Sequence, residues 1–235
     1  MGSARRPHSP MNHSRFPVGV ATIGQAPRPD MMADLRSVLG DARTIHEVGA
    51  LDELQDQQIL EMAPDTGDFP LVSRLRDGTV VELSRTAVIP LLQSALDRLA
   101  TAGARIFVVL CTGEFPPFHA PGPILLPQKV LSNTVDALGV HKIGLLPPLA
   151  EQIGEVEARW EAAGYDPVVL PASPYGDDEL ILNAGRELAA ASVEVVVLDC
   201  QAYRLRHREM LRAVLDCPIL VPNGLIGRYL QELTA

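Results

Sequence analysis

The sequence has few aromatic residues and no long apolar run, and each shortage excludes a class of protein. Aromatic residues make up 4% of the 235 residues and apolar residues 47%, so Val, Leu, Ile and Ala must form the core, as in parallel strands covered by helices. No apolar run approaches the roughly 18 residues of a membrane-spanning helix, which predicts no membrane partner. The net charge of −9 argues against nucleic acid, because phosphate binding requires surplus Lys and Arg.

Cysteines and cofactor motifs are also scarce. Residues 1–15 are polar and contain no apolar stretch of signal-peptide length, and we interpret them as a disordered leader. Three cysteines without an export signal predict free thiols in the reducing cytoplasm. The chain has no Walker loop, GxGxxG, GxSxG, CxxC or HExxH motif, so we expect no nucleotide, no other cofactor and no metal.

Apolar β-branched runs alternate with stretches of helical periodicity along the chain. This alternation predicts an α/β fold with parallel sheets and right-handed crossovers. The predicted strands are Val18–Ile23, Arg105–Leu110, Lys142–Leu146, Val168–Leu170, Glu194–Leu198 and Pro218–Val221. The predicted helices are Ala87–Ala102, Gln128–Leu138, Ala150–Ala163, Asp178–Ala191, Arg204–Leu215 and Gly224–Leu233. Two further runs, Pro70–Arg74 and Thr79–Ser84, flank an Asp-Gly turn signal that predicts a small antiparallel β-hairpin in the first half.

Three sequence features occur twice in the same order. They are an inner glycine in a strand (Gly19 and Gly144), a strand-ending cysteine (Cys111 and Cys200) and a Pro-Ile-Leu-x-Pro segment (residues 123–127 and 218–222). Such repetition predicts two pseudo-symmetric α/β halves. We assign residues 16–126 plus 222–235 to the first half and residues 127–221 to the second.

Cys111 and Cys200 are the candidate catalytic residues. Ligands of parallel α/β sheets bind beyond the carboxyl ends of the strands, and a pseudo-two-fold axis would place the two thiols face to face across a cleft. One thiolate could then remove a proton from an acidic carbon while the opposite thiol donates one, with pKa values tuned toward neutrality by helix N-termini and cations. The alternative is that each cysteine is only a buried core residue. Cys217, at the other end of a strand, is expected to be structural.

Nine residues are candidates for binding the substrate. They are Thr22, Gly24, Gln25, Arg28, Thr112, Gly113, Gln201, Tyr203 and His207. Backbone N–H groups and hydroxyls of the first loops would hold a carboxylate, with Arg28 as its charge partner. The alternative for the loop at residues 22–30 is an ordinary strand-to-helix turn with Asp30 as the N-cap.

The basic run at residues 204–208 opens a predicted helix, where its charge opposes the macrodipole. We expect compensation by Asp199, Glu209 or a bound anion; the alternative is a solvated surface face. His207 within this run could also act as a general acid or base.

Four motifs together resemble the AroM family, over nearly the whole chain after residue 15. They are Thr22-Ile-Gly-Gln-Ala-Pro-Arg-Pro, Leu71-Val-Ser-Arg74-Leu-x-Asp-Gly78, Leu110-Cys-Thr-Gly-Glu-Phe115 and Leu198-Asp-Cys-x-x-Tyr203-x-x-Arg206-His207-Arg208. That family is similar to the aspartate/glutamate/hydantoin racemase superfamily, which implies two flavodoxin-like halves. The resemblance also implies that Cys111 and Cys200 match the catalytic thiols and that Thr112 and Gly113 match carboxylate-binding positions.

The sequence departs from the racemase pattern beside both thiols. Thr112-Gly113 stands where the racemases have Asn-Thr, and Asp-Cys-Gln-Ala at residues 199–202 stands where they have Gly-Cys-Thr-His. We expect a cofactor-independent racemase, epimerase or isomerase acting at the carbon α to a carboxylate or carbonyl of a small acid. The alternatives are a decarboxylase or lyase using one thiol, and a non-catalytic small-anion binding protein. The expected ligand is a small carboxylate-bearing molecule, and a homodimer is left open.

Overall fold

The computed structural model describes residues 16–40 and 43–235, so the leader predicted at residues 1–15 lies outside the described residues. The strands are β1 (Val18–Thr22), β2 (Ile45–Gly49), β3 (Pro70–Arg74), β4 (Val80–Ser84), β5 (Ile106–Leu110), β6 (Ile124–Leu125), β7 (Lys142–Leu145), β8 (Asp166–Val169), β9 (Val195–Val197) and β10 (Ile219–Leu220). The helices are α1 (Pro29–Leu39), α2 (Asp56–Leu60), α3 (Arg85–Thr101), α4 (Pro127–Leu138), α5 (Ile153–Ala162, preceded by a 3-10 turn at Ala150–Gln152), α6 (Asp178–Ala190), α7 (Leu205–Leu211) and α8 (Pro222–Leu233).

Two four-stranded parallel sheets have the same strand order. The first is β2-β1-β5-β6 and the second is β8-β7-β9-β10. In each sheet, the strand that comes first in the chain (β1 or β7) lies between the next strand (β2 or β8) and the strand that leads to a cysteine (β5 or β9). The antiparallel hairpin β3–β4 forms a two-stranded sheet of its own, which is not hydrogen-bonded to either four-stranded sheet. The predicted fold, with two pseudo-symmetric α/β halves and a small hairpin, is confirmed.

In both halves, the same number of residues separates the cysteine from the preceding helix. An interval of 89 residues relates Leu99 to Leu188, Ala104 to Val193 and Cys111 to Cys200. In each half, the leucine of this helix and the residue five positions after it pack against the inner glycine. A Cβ at Gly19 would lie 2.8 Å from the Cβ of Ala104, and one at Gly144 would lie 3.0 Å from methyl carbons of Leu188. The repeated glycines therefore allow a close approach that a larger residue would prevent.

Gly19→Ala is expected to lower the free energy of unfolding by about 1–3 kcal/mol. The new methyl would meet the Cβ of Ala104, which moves only with its backbone. Gly144→Ala is expected to cost less, because the methyl carbons of Leu188 can rotate away. Urea denaturation measures both losses, and an equal or larger loss for Gly144→Ala would contradict this account of the packing.

The helix α8 packs on the first sheet and the helix α4 packs on the second, as the predicted division into two halves requires. Ile226 and Leu230 of α8 are fully buried in one cluster with residues of β1, α1 and β5. Leu131 and Val135 of α4 are buried with residues of β7 and β9. This packing supports joining residues 222–235 to the first half, and the division itself stays a proposal.

Four elements were not predicted, namely α1, β2, α2 and β6. The half-buried strand β2 contains His46 and Glu47, so it lacks the continuous apolar run that marks the central strands. The strand β9 ends at Val197, so Cys200 follows it by three residues instead of ending it. Within the described residues, no helix is both long and apolar enough to span a membrane.

Candidate active site

A cavity lies beyond the carboxyl ends of β5 and β9, and both Cys111 and Cys200 line it. Its volume is about 40 Å³, whereas a single buried water needs roughly 10–15 Å³, so the space holds more than one water-sized group. Further lining comes from the loop after β1, from the hairpin strand β3 and from α5. We call this space the thiol cavity. Of the predicted site residues, six line it: Arg28, Cys111, Thr112, Gly113, Cys200 and Gln201.

The two thiols are buried, with 9% of Cys111 and 7% of Cys200 exposed. The backbone N–H of Gly113 donates to Sγ of Cys111 at 3.4 Å, and the N–H of Ala202 stabilises the thiolate form of Cys200. Burial nevertheless raises the pKa of each thiol to about 12. The expectation of thiol pKa values near neutrality is therefore wrong for this structure, in which both thiols are neutral at pH 7.

Alkylation by iodoacetamide is expected to show these raised thiol pKa values. At pH 8 a thiol with a pKa of about 12 is ionised in roughly one molecule in 10⁴, whereas about a quarter of ordinary thiols are ionised. Native Cys111 and Cys200 should react roughly 10³-fold more slowly than in urea, and their rates should rise tenfold per pH unit from pH 7 to 9.5. Mass spectrometry resolves each site. A rate that levels off near pH 8 at either cysteine would contradict this assignment.

Arg28 lines one side of the thiol cavity, and each nitrogen of its guanidinium donates at least one hydrogen bond. Nε and Nη2 donate to the two carboxylate oxygens of Asp30 at 3.0 and 2.8 Å. Nη1 donates to Ser73 at 3.4 Å, and Nη2 donates to the hydroxyl of Tyr175 at 3.0 Å. Because α1 begins at Pro29, Arg28 occupies the N-cap position, and the alternative with Asp30 as N-cap is wrong.

Arg159 and Asp199 form a second ion pair in the wall of the thiol cavity. Nη2 of Arg159 donates to Oδ2 of Asp199 at 2.9 Å, and the two side chains are 15% and 7% exposed. The charge of Asp199 contributes to the raised pKa of both Cys111 and Cys200. Arg159, in the last turn of α5, was not among the predicted site residues.

Residues 18–234 match the family described as AroM protein. The chain belongs to the AroM family. The predicted membership is thus confirmed over most of the chain. None of the curated proteins matches this AroM-family chain.

Solved structures of racemases and of a decarboxylase share the fold of this AroM-family chain. One is a liganded mutant of arylmalonate decarboxylase in which a glycine is replaced by cysteine and a cysteine by serine; it has a TM-score of 0.65, 14% identity and coverage of 94% of this chain and 93% of that one. An aspartate racemase homologue from Pyrococcus horikoshii OT3 has a TM-score of 0.55, 11% identity and coverage of 92% and 98%. Glutamate racemase from Francisella tularensis subsp. tularensis SCHU S4, in complex with D-glutamate, has a TM-score of 0.56, 13% identity and coverage of 93% and 80%. At these identities the likeness shows the fold alone.

Five of the predicted binding residues do not line the thiol cavity. They are Thr22, Gly24, Gln25, Tyr203 and His207. The first three hold the loop after β1 in place: Oγ1 of Thr22 accepts the N–H of Gly24 at 3.5 Å, and Oε1 of Gln25 accepts the N–H of Arg76 at 3.1 Å. A Cβ on Gly24 would collide with the hydroxyl of Ser73. These contacts fix the loop against the hairpin, and a direct role in binding stays a prediction.

Tyr203 and His207 form a buried pair behind the thiol cavity. The hydroxyl of Tyr203 donates to the carbonyl of Ala172, and its ring lies edge-on to the imidazole of His207. Nδ1 of His207 accepts the N–H of Arg204 at 2.9 Å. Burial lowers the pKa of His207 to about 4, so the imidazole is neutral at pH 7. Its hydrogen bond to Arg204 supports the start of α7. Because His207 does not line the thiol cavity, the geometry gives no support to a general acid or base role.

The basic run at residues 204–208 is compensated by carboxylates of α1, of α6 and of α7 itself. Arg204 lies 3.6 Å from Asp34, Arg206 lies 2.6 Å from Asp178, and Arg208 lies 3.2 Å from Glu209. Glu209 was among the expected partners, whereas the expected Asp199 pairs with Arg159 instead.

Proposed function

We propose that this AroM-family protein is a cofactor-independent enzyme that transfers a proton at the carbon α to a carboxylate or carbonyl of a small acid. Cys111 and Cys200 are the proton-transferring groups. The observation that carries the proposal is that two buried thiols, at equivalent positions of the two halves, line one cavity. The thiolate of one cysteine removes the α-proton, and the thiol of the other donates a proton to the opposite face, which inverts the carbon.

The loops after β5 and β9 supply groups that favour the required thiolate. The N–H groups of Thr112 and Gly113 lower the pKa of Cys111, and the N–H of Ala202 lowers that of Cys200, against the larger effect of burial. Donors held in place before the reaction stabilise developing negative charge without reorganisation. Racemases and a decarboxylase on the same fold support a carbanion or enolate chemistry at this site.

A second candidate function is decarboxylation, in which a neutral thiol would serve as the proton donor. Loss of carbon dioxide from an acid leaves a carbanion that needs a proton donor and no initial base. Because burial raises the pKa of both thiols to about 12, each is a donor at pH 7. One thiol suffices for this reaction, so the other would be replaceable.

Proton exchange in deuterium oxide separates the two reactions. A panel of small 2-substituted acids is incubated with the wild-type protein, and NMR follows the α-proton while released carbon dioxide is measured. Proton transfer predicts exchange without carbon dioxide, and decarboxylation predicts the reverse. The double variant Cys111→Ser/Cys200→Ser should do neither. If the wild-type protein gives no exchange and no carbon dioxide with any acid, the proposed function is wrong and anion binding alone is the better account.

A further inference from the structure

The two arginines of the thiol cavity differ in their free hydrogen-bonding capacity. On Arg28, Asp30 takes both N–H groups of the Nε–Nη2 edge. On Arg159, Asp199 takes only the Nη2 group of the same edge, and Nε is buried without a hydrogen-bond partner among the described residues. A buried donor without a partner is destabilising, and a ligand oxygen at Nε would remove that cost. Arg159 is therefore the cavity arginine with a buried nitrogen, Nε, that has no hydrogen-bond partner among the described residues.

Asp199 is the only carboxylate among the described residues that line the thiol cavity. Its charge acts on both sulfur atoms, so it lies within electrostatic reach of either thiol. Neutral thiols need a proton acceptor before one of them can attack an α-proton. Asp199 is the carboxylate that could accept this proton, but it is paired with Arg159, whose Nη2 lies 2.9 Å from Oδ2 of Asp199.

We propose that Arg159 binds the carboxylate of the substrate and that this releases Asp199 to accept the proton of a cavity thiol. This inference rests on the proposed function and names the groups that prepare the site. The substrate carboxylate takes the Nε and Nη2 groups as a bidentate pair, which is the geometry that a guanidinium favours. A buried carboxylate that loses its counter-ion binds a proton more readily.

The proton balance of this activation is simple. The S–H bond of a cavity thiol breaks and an O–H bond forms on Asp199, so the negative charge passes from carboxylate to sulfur. The thiolate then removes the α-proton of the bound acid, and the opposite thiol reprotonates the carbon. When the product leaves, Asp199 returns its proton to the sulfur that remains as thiolate, and the pair with Arg159 re-forms. Substrate binding thus creates the base only when it is needed.

Malonate, which carries two carboxylates on one carbon, is a suitable probe of the Arg159 site. Calorimetry measures its affinity, and the fluorescence of Trp160 reports on the site, because this sole tryptophan has its ring centroid 5.9 Å from the guanidinium carbon of Arg159. The wild-type protein should bind malonate saturably, and Arg159→Gln should weaken binding at least tenfold. Arg186→Gln removes an exposed arginine paired with Glu179 and should leave the affinity unchanged. Absence of saturable binding by the wild type, or equal affinity in Arg159→Gln, would overturn the inference.

Variants of Asp199 separate ligand binding from a merely structural ion pair. Asp199→Asn should bind malonate several-fold more tightly, because the competing carboxylate is gone, yet exchange the α-proton of any substrate at least tenfold more slowly. The double variant Arg159→Gln/Asp199→Asn contains no unpaired charge and should still bind weakly. If Arg159 served only to neutralise Asp199, the double variant would bind malonate as the wild type does.

The failure of this inference can be told apart from the failure of the proposed function. Wild-type exchange rates in Arg159→Gln would refute the inference and leave the two-thiol chemistry standing. Malonate binding that depends on Arg159, with no exchange of any acid by the wild-type protein, would refute the proposed function and the proton-accepting role of Asp199. In that second case only the carboxylate site at Arg159 would remain.

Discussion

Replacing Cys200 by serine is expected to lower the rate of α-proton exchange by roughly 10²- to 10⁴-fold, the usual contribution of a general acid or base. Serine keeps the shape of the side chain, but its hydroxyl is a far weaker acid than a thiol and cannot carry the proton near neutral pH. Cys111→Ser should give a loss of similar size, since the two-thiol mechanism needs both groups in every turnover. NMR of the exchanging acid in deuterium oxide measures each rate.

Cys217→Ser is the matched control for both substitutions. Cys217 is half-buried and packs against the core of the second half, away from the thiol cavity, so its replacement should leave the exchange rate unchanged. A large loss in only one of the two cavity variants would favour the decarboxylase. Equal rates in the wild type and both cavity variants would exclude any catalytic role for the thiols.

The largest loss of stability is expected from Arg28→Met, at about 3–5 kcal/mol in the free energy of unfolding. This substitution leaves Asp30, whose side chain is 25% exposed, without its cation. It also removes the hydrogen bonds that Arg28 donates to Ser73 and Tyr175. These bonds join the loop after β1 to the hairpin and to the second half. Urea denaturation at pH 7 measures the loss.

The double variant Arg28→Met/Asp30→Asn tests the electrostatic part of that loss. It removes both charges and should recover most of the stability, because an uncompensated buried charge costs more than the absence of the pair. Burial raises the pKa of Asp30, but Arg28 outweighs it and holds that pKa below its ordinary value. The contribution of the pair is therefore present above the unfolded pKa of about 3.9 and is lost as the pH falls through the lower folded pKa. A double variant as unstable as the single one would contradict this account.

The central cysteines were predictable because their signal is local. A buried strand followed by a cysteine is visible in the sequence, and its repetition 89 residues later indicates equivalent positions in two halves. The two inner glycines were found in the same way, and the structure supplies their reason, which is the close approach of Ala104 and Leu188. Family resemblance then connected this pattern to a known fold.

The rest of the site could not be predicted because it is assembled by packing between distant segments. Arg159 and Tyr175 reach the thiol cavity only after the second half is placed against the hairpin, and neither belongs to a motif. Conversely, Tyr203 and His207 belong to one of the four family motifs, but they are buried in the core and do not line the cavity. The raised pKa values of the thiols were missed because the sequence does not show how deeply packing buries each cysteine.

The central claim is that the two thiols act on one carbon from opposite faces, and isotope incorporation tests it most directly. A single enantiomer of an acid that exchanges is incubated briefly in deuterium oxide, and the two enantiomers are separated and analysed by mass spectrometry. Two opposed thiols predict deuterium in the inverted enantiomer and none in the enantiomer that was supplied. Deuterium in the supplied enantiomer at the same early rate would show that one group both removes and returns the proton, and would contradict the account.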